Sequence, residues 1–272
     1  MDPKVAIVVP VIETENREYW RQFAKSVEEQ TFGAENILLV YVIRFRASCA
    51  TPINPKGSTV RVLPLNLPQD HSPTPMEQAG LGFQYVYDTW PNVQYMVAAP
   101  ANDVLDPGFV KDLRFALTAD AKVQVSIPDF WYCKEDMAKV KIHRFNDKLV
   151  LNHMLLGNFI PDMSMVRRET YAAVPFDSRH GRAAFWIWWI RIFRHFGPFA
   201  FSFTRQPLFY YRQHKGQTSG NKEFVLDGTK RFTEWAHAEG LIPKEIIIRP
   251  KEEPEIVNLE DNETRSDHNS TD

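Results

Sequence analysis

The chain has 272 residues and 31.6 kDa, with 44% apolar, 13% aromatic and 24% charged residues and a formal charge of −2. That size and balance build one large domain or two small ones around a sizeable core, and they exclude a disordered, collagen-like or strongly basic chain. The near-zero charge is an average of opposed parts: residues 251–272 hold eight acids against Lys251 and Arg265, leaving thirty cations and twenty-six acids on residues 1–250, a net +4.

Val5 to Val9 is a short apolar, β-branched run closed by Pro10, the pattern of a strand buried on both faces. Tyr19, Phe23 and Val27 then recur at helical spacing as far as Gln30, and Gly33 supplies a stop. Ile37 to Ile43 and Val60 to Leu65 read as the second and third strands. Thr74-Pro75-Met76-Glu77 has a hydroxyl at the cap, Pro at the first helical position and Glu three residues after the cap, so a helix is predicted to run to about Asp88. Val93 to Ala99 is a fourth strand, Asp106-Pro107 opens a helix to about Leu117, and Val123 to Ile127 is a fifth strand. This alternation predicts a mainly parallel sheet covered on both faces.

The second half changes character. Lys139 to Ile142 and Leu149 to Leu151 flank Asn146-Asp147 like a hairpin. Arg168 to Ala173, Ala183 to His195 and Thr229 to Ala238 read as helices, with short strands at Phe199 to Phe203 and Leu208 to Tyr211. The expected organisation is one domain over residues 1–250, with halves at 1–130 and 131–250, and an acidic, disordered tail at 251–272.

Cys49 and Cys133 are too few for a disulfide framework and lack a zinc spacing, which favours a reducing compartment. No run reaches the roughly 18 to 20 apolar residues of a membrane span, and no leader pattern opens the chain, so a cytoplasmic protein is expected. Val11-Ile12-Glu13 after the first strand holds no glycine, which argues against a dinucleotide fingerprint, and a P-loop is missing. Gly80-Leu81-Gly82 falls inside a predicted helix and reads as close packing.

The segments VAIVVPVIETENREYWRQFAKSVEEQTF, VAAPANDVLDPGFVKDL, FIPDMSMVRRETYAAVPFD, FWIWWIRIF and PLFYYRQHKGQTS, in that order, resemble the successive blocks of family 2 glycosyltransferases of the GT-A fold, over about residues 4 to 220. The resemblance implies a mainly parallel, Rossmann-type sheet flanked by helices with a mixed α+β second half. It also implies transfer of a sugar from a nucleotide-sugar donor to an acceptor hydroxyl, usually with inversion and with a divalent metal on the diphosphate. Residues 1–130 would then bind the donor and 131–250 the acceptor.

The departures fall on the acids. Tyr41 stands where the family commonly has the nucleobase aspartate, Pro100-Ala101-Asn102-Asp103 stands for the DxDD run, and Ala184-Phe185 for the Glu-Asp pair that supplies the base. With metal acids thinned, cations become the candidate stabilisers of a departing diphosphate. Arg212 and His214 of the YRxH block, with Lys215 and Arg182, are the candidate phosphate clamp, because Arg offers bidentate donation and Lys a point charge. Pro10, Tyr41 and Asn102 complete the candidate donor site, and Asp103 would hold any residual Mg2+ or Mn2+. Asp103 and Asp177 are the candidate bases, His180 a third, and Trp186 is the candidate acceptor-stacking ring. Asp106, before Pro107, reads as a helix cap. Two readings stay open: an enzyme with weak or no metal dependence, or a silent GT-A-like module that binds a nucleotide, glycan or protein. Lys134, Lys139, Lys141, His143 and Arg144 admit a polyanionic acceptor, a glycan or modified DNA, although a solvated strand face accounts for them too.

Overall fold

A computed structural model of the chain describes residues 3–11, 16–44, 53–65, 74–145, 151–214 and 222–248. The first half alternates as the apolar periodicities require: β1 (Val5–Val11), α1 (Arg17–Glu28), β2 (Ile37–Arg44), β3 (Thr59–Leu65), α2 (Pro75–Thr89), β4 (Tyr95–Ala98), β5 (Val104–Leu105), α3 (Phe109–Ala119) and β6 (Val125–Cys133). The second half adds β7 (Lys139–His143), α4 (Leu151–Leu156), β8 (Met165–Arg167), α5 (Arg168–Ala173), α6 (Ala184–Phe196), β9 (Phe201–Arg212) and α7 (Lys222–Ala238). A 3-10 turn at Ser178–Ala183 leads into α6.

Among the described residues all nine strands belong to one sheet, ordered β3-β2-β1-β4-β8-β6-β9-β5, with β7 on a free stretch of β6. The β3-β2-β1-β4 block is parallel. Strand β8 is antiparallel to both β4 and β6, β6 is parallel to β9, and β5 and β7 are antiparallel to β9 and β6. The expected α/β architecture, mainly parallel and then mixed, is the one observed. All of β1 is buried, as a strand with helices on both faces must be. It continues through Pro10 to Val11, because β4 pairs with it only as far as Val8 and beyond that point proline's missing N–H breaks no ladder on that side.

Helix α2 shows how local and tertiary signals agree. The Glu77 N–H donates to Thr74 Oγ1 (3.2 Å) and the Thr74 N–H to Glu77 Oε2 (2.7 Å), a reciprocal cap. Gly82 then brings the helix against the sheet, since a Cβ there would lie 2.3 Å from Val8 Cγ1 and 2.9 Å from Val42 Cγ2. On α6, Ala184 to Ile190 are buried without a break, and the indoles of Trp188 and Trp189 stack in the core.

Three expectations are corrected. The partner of β7 is β6, and Leu151, expected in the return strand, opens α4; residues 146–150 lie outside the described residues. The two short strands expected at Phe199 to Phe203 and Leu208 to Tyr211 are one strand, β9, which starts at Phe201 after a 3-10 turn at Pro198–Ala200 and whose pairing with β6 shifts register on either side of Asp129. Helix α7 begins at Lys222, a full two turns before the expected start. The tail at 251–272 and the Ser48-Cys49 segment lie outside the described residues.

Candidate functional site

The site is built where β4 ends. The chain turns through Pro100–Asp103 and enters β5, which runs antiparallel along β9 with Val104 opposite Tyr210 and Leu105 opposite Phe209. That register carries Asp103 and Asn102 back toward Arg212 and His214. The Arg212 N–H donates to Asp103 Oδ1 (2.9 Å), the Arg212 Nε–H to the Asn102 carbonyl (2.7 Å), and Asn102 Nδ2 lies 3.1 Å from His214 Nε2. Four residues separated by 110 positions thus meet at the carboxyl end of the parallel block, the edge at which open α/β sheets bind ligands.

Arg212 is 1% exposed. Its Nη1 donates to the Glu135 carbonyl, its Nη2 to Gln22 Oε1, and its guanidinium carbon lies 4.1 Å from the Tyr19 ring centroid. Tyr19 in turn donates to Glu135 Oε1 (2.6 Å) and packs against the His214 ring at 5.6 Å. With every guanidinium nitrogen engaged by protein, Arg212 is a strut tying β9 to α1, to the Asn102 turn and to the loop after β6, rather than an exposed phosphate clamp. Tyr19, Gln22 and Glu135 are members of the site that the sequence did not single out: Tyr19 read as a core position of an amphipathic helix, and nothing local marks Glu135.

Asp103 is also 1% exposed, and burial pushes its carboxyl up to about 7 although the Arg212 N–H and positive charge pull it back. His214 is held below the usual imidazole value, chiefly by burial. Two buried acceptors of this turn, Asn102 Oδ1 and Asp103 Oδ2, have no hydrogen-bond partner. Such groups cost about 1–3 kcal/mol each when unpaired, and a pair of them at a strand edge is ready for a ligand that brings donors or a cation. A Mg2+ or Mn2+ ion takes oxygen ligands and is commonly held by one or two carboxylates plus substrate phosphates. Asn102 Oδ1 and Asp103 Oδ2 fit a minimal version of that set, while among the described residues no group of three His, Cys, Asp or Glu forms a metal cluster.

The remaining candidates lie elsewhere. Tyr41 is fully buried, stacked on Trp20 at 6.4 Å and donating to the Ile53 carbonyl (2.9 Å), and Pro10 is buried in β1 opposite Val42. Trp186 is not an open acceptor platform: it stacks on Phe232 at 3.5 Å and donates to the Met154 carbonyl. Asp177 caps the 3-10 turn and chelates Arg179 at 2.9 and 2.8 Å, interactions that hold its carboxyl down at about 2. Arg182 lies over the Phe224 ring (3.8 Å), on the α7 side of the 3-10 turn. Asp106 accepts from the Gly108 N–H (2.9 Å) in a turn ahead of α3 and is not the expected helix cap, since the N-cap of α3 is Gly108 with no side-chain cap bond. Lys215 lies outside the described residues.

A cleft of about 880 Å3 between α5, α6 and α7 is lined by Asp177, Arg179, His180, Arg191, Arg194 and Trp235, with none of the Asn102 cluster. Arg194 lies in the last turn of α6, where it complements the helix dipole, and Arg179 and Arg194 are paired with Asp177 and Glu239.

Solved structures place this architecture. The chain is similar to S. aureus TarS 1–349 in complex with UDP-GlcNAc, with a TM-score of 0.58 at 10% identity, covering 85% of this chain and 66% of that one. It is equally similar to glucosyl-3-phosphoglycerate synthase (GpgS) from Mycobacterium tuberculosis in complex with Mn2+, UDP-glucose and phosphoglyceric acid, with a TM-score of 0.58 at 16% identity, covering 89% and 82%. The fold is that of a GT-A-type glycosyltransferase. The chain spans 64% of TarS 1–349 in its UDP complex and 39% of a longer TarS chain. No family model and no curated protein matches the sequence. Among the described residues no helix is long and apolar enough to cross a membrane.

Proposed function

We propose that the protein transfers a sugar from a nucleotide-sugar donor to an acceptor hydroxyl, with inversion and with little dependence on a metal. The observation that carries this reading is the meeting of Asn102 and Asp103 with Arg212 and His214 at the carboxyl edge of a GT-A sheet, where Asn102 Oδ1 and Asp103 Oδ2 are buried without a partner. Unpartnered acceptors suit the hydroxyls of a ribose or sugar. When a divalent ion is bound, Asn102 and Asp103 would hold it, and it would add positive charge against the diphosphate. A single carboxylate that titrates near neutrality makes that a weak metal site. His214 beside Asn102, and Lys215 after it, supply the remaining polar contacts to phosphate, while Arg212 positions the turn.

The neighbours' complexes with UDP and UDP-sugars support uridine donors as the first to try. The acceptor surface we propose is the β6–β7 corner, where Lys139 Nζ stands 5.0 Å over both Trp131 and Tyr210, a cationic and aromatic face suited to a glycan or modified DNA, while Lys141 Nζ lies 4.9 Å over Tyr132 on the opposite face of the sheet. The buried, unpaired Cys133 supports a reducing compartment, the cytoplasm.

The test is calorimetric binding of UDP, UDP-GlcNAc and UDP-glucose together with release of UDP, each with and without EDTA. Binding plus turnover that survives EDTA is the expected result. Absence of binding under both conditions ends the reading, and binding without turnover selects the silent nucleotide-binding module instead.

A further inference from the structure

Transfer with inversion requires a group that takes the acceptor proton, and none of the three acids and bases considered so far suits it. Asp103 is sealed in the interior with one oxygen on the Arg212 N–H. Asp177 is chelated by Arg179 and held at about 2, far too weak a base. His180, held below the usual imidazole value mainly by burial, sits 3.6 Å from Asp177 and lines the separate cleft, away from the Asn102 turn.

A fourth group lies at the strand edge. Residues Pro161 to Ser164 form a tight turn, closed by the Ser164 N–H and Oγ both donating to the Pro161 carbonyl at 3.1 and 2.8 Å. The turn leads directly into β8, which pairs antiparallel with β4 through Val166 and Met96, and with β6 through Met165 and Ser126. Each step back from Met165 therefore moves toward the carboxyl ends of β4 and β6, which places Asp162 at the same edge of the sheet as the Pro100–Asp103 turn.

Its neighbour is fixed. The Arg182 side chain is confined by Gly228 of α7, where an added Cβ would lie 3.0 Å from Arg182 Cγ, and by the Phe224 ring beneath its guanidinium. Arg182 is the charged group whose field reaches Asp162, and it immediately precedes the Ala183-Ala184-Phe185 start of α6. Asp162, unlike the sealed Asp103, is only partly buried, and the desolvation of its carboxyl outweighs that arginine and raises it to about 7, the range in which a group both accepts a proton readily and is ionised enough to do so.

We propose that Asp162 is the general base of the transfer reaction, positioned by the Pro161–Ser164 turn at the carboxyl edge and oriented by Arg182. This inference rests on the glycosyltransferase reading above. In the step, the acceptor oxygen forms a bond to the anomeric carbon and passes its proton to the Asp162 carboxylate. The bond from that carbon to the diphosphate oxygen breaks, and its electron pair leaves with the nucleoside diphosphate. With water as acceptor the same step is donor hydrolysis, which can be measured while the natural acceptor is unidentified.

The experiment compares wild type, Asp162→Asn and Asp162→Glu by UDP calorimetry and by hydrolysis of UDP-GlcNAc and UDP-glucose from pH 5 to 9. Asp162→Asn should bind UDP within about threefold of wild type, lose about 100-fold or more in kcat, in line with the loss of a general base, and lose the acidic limb of the wild-type profile. Asp162→Glu should restore part of the rate with that limb displaced. A merely structural role would lower UDP affinity and thermal stability together and leave the limb in place, and that result overturns the proposal. So does an Asp162→Asn enzyme with unchanged kcat. A wild type that binds UDP but never turns a donor over removes both Asp162 as base and the enzyme reading, whereas an active wild type indifferent to position 162 removes only the former.

Discussion

Arg212 illustrates how one residue changes meaning between sequence and structure. In the string YRQH it reads as a clamp for phosphate, but strand β9 delivers it into the interior, where Asn102, Glu135 and Gln22 take its donors. Removing it strands three acceptors and a pocket shaped for a planar fork, so Arg212→Ala should cost about 3 kcal/mol or more in urea unfolding. Arg212→Lys should recover little of this, since an ammonium cannot reach three acceptors spread around a plane. Asp103 makes a prediction whose sign follows from its raised carboxyl. Below about pH 4 the group is protonated in both folded and unfolded chains and has no effect. Between pH 4 and about 7 the folded protein retains a proton the unfolded chain has lost, so stability falls as pH rises, and above 7 the penalty is complete. Asp103→Asn keeps the acceptor for the Arg212 N–H and removes the penalty. Its stability relative to wild type should rise steadily from pH 4 to 7 and then level off; a flat difference across urea melts at those pH values contradicts the buried-carboxyl account.

At the scale of elements, the parts of the fold that were legible are those whose signal is local. The Thr74 cap, the proline after it and Glu77 specify the start of α2 within four residues, and the structure forms both of its reciprocal hydrogen bonds. The unbroken apolar run of α6 specifies a buried helix for the same reason. Strand β7 was mispaired because strand pairing is chosen by distant partners: its ladder with β6 is set by Phe130 against His143 and Tyr132 against Lys141, a choice invisible in the flanking Asn-Asp. Gly82 lies between these cases. Its place in a helical pattern suggested close packing, and the sheet confirms it, with Val8 and Val42 occupying the space a side chain would need. Gly82→Ala should therefore destabilise by about 1–3 kcal/mol despite alanine's better helix propensity, an overpacking cost that thermal or urea melts will show. A stabilised variant would mean that α2 shifts freely on the sheet.

Over the whole molecule, the order of segments made the architecture readable, but the site was readable only in part. Asn102, Asp103, Arg212 and His214 could be named from two short blocks, yet their roles depend on burial, and burial follows from the β5–β9 ladder that no single block encodes. Separating a mildly cationic body from an acidic tail pointed to phosphate neutralised by side chains; the strut role of Arg212 narrows the cations available to it, so metal dependence becomes the discriminating quantity. A ligand that binds only the folded state stabilises it by RT ln(1 + [L]/Kd), about 2.7 kcal/mol at a hundredfold excess over Kd. For a chain of this size that corresponds to a rise in Tm of roughly 5–10 °C. UDP should produce such a shift in EDTA, and Mn2+ should enlarge it only slightly, because Asp103 is the carboxylate of the cluster with a buried, unpartnered oxygen and burial raises it to about 7, while Glu135 is taken by Tyr19. If EDTA instead abolished the shift, the diphosphate would have to be held chiefly through a metal, and the assignment of its polar contacts to His214 and Lys215 would fail.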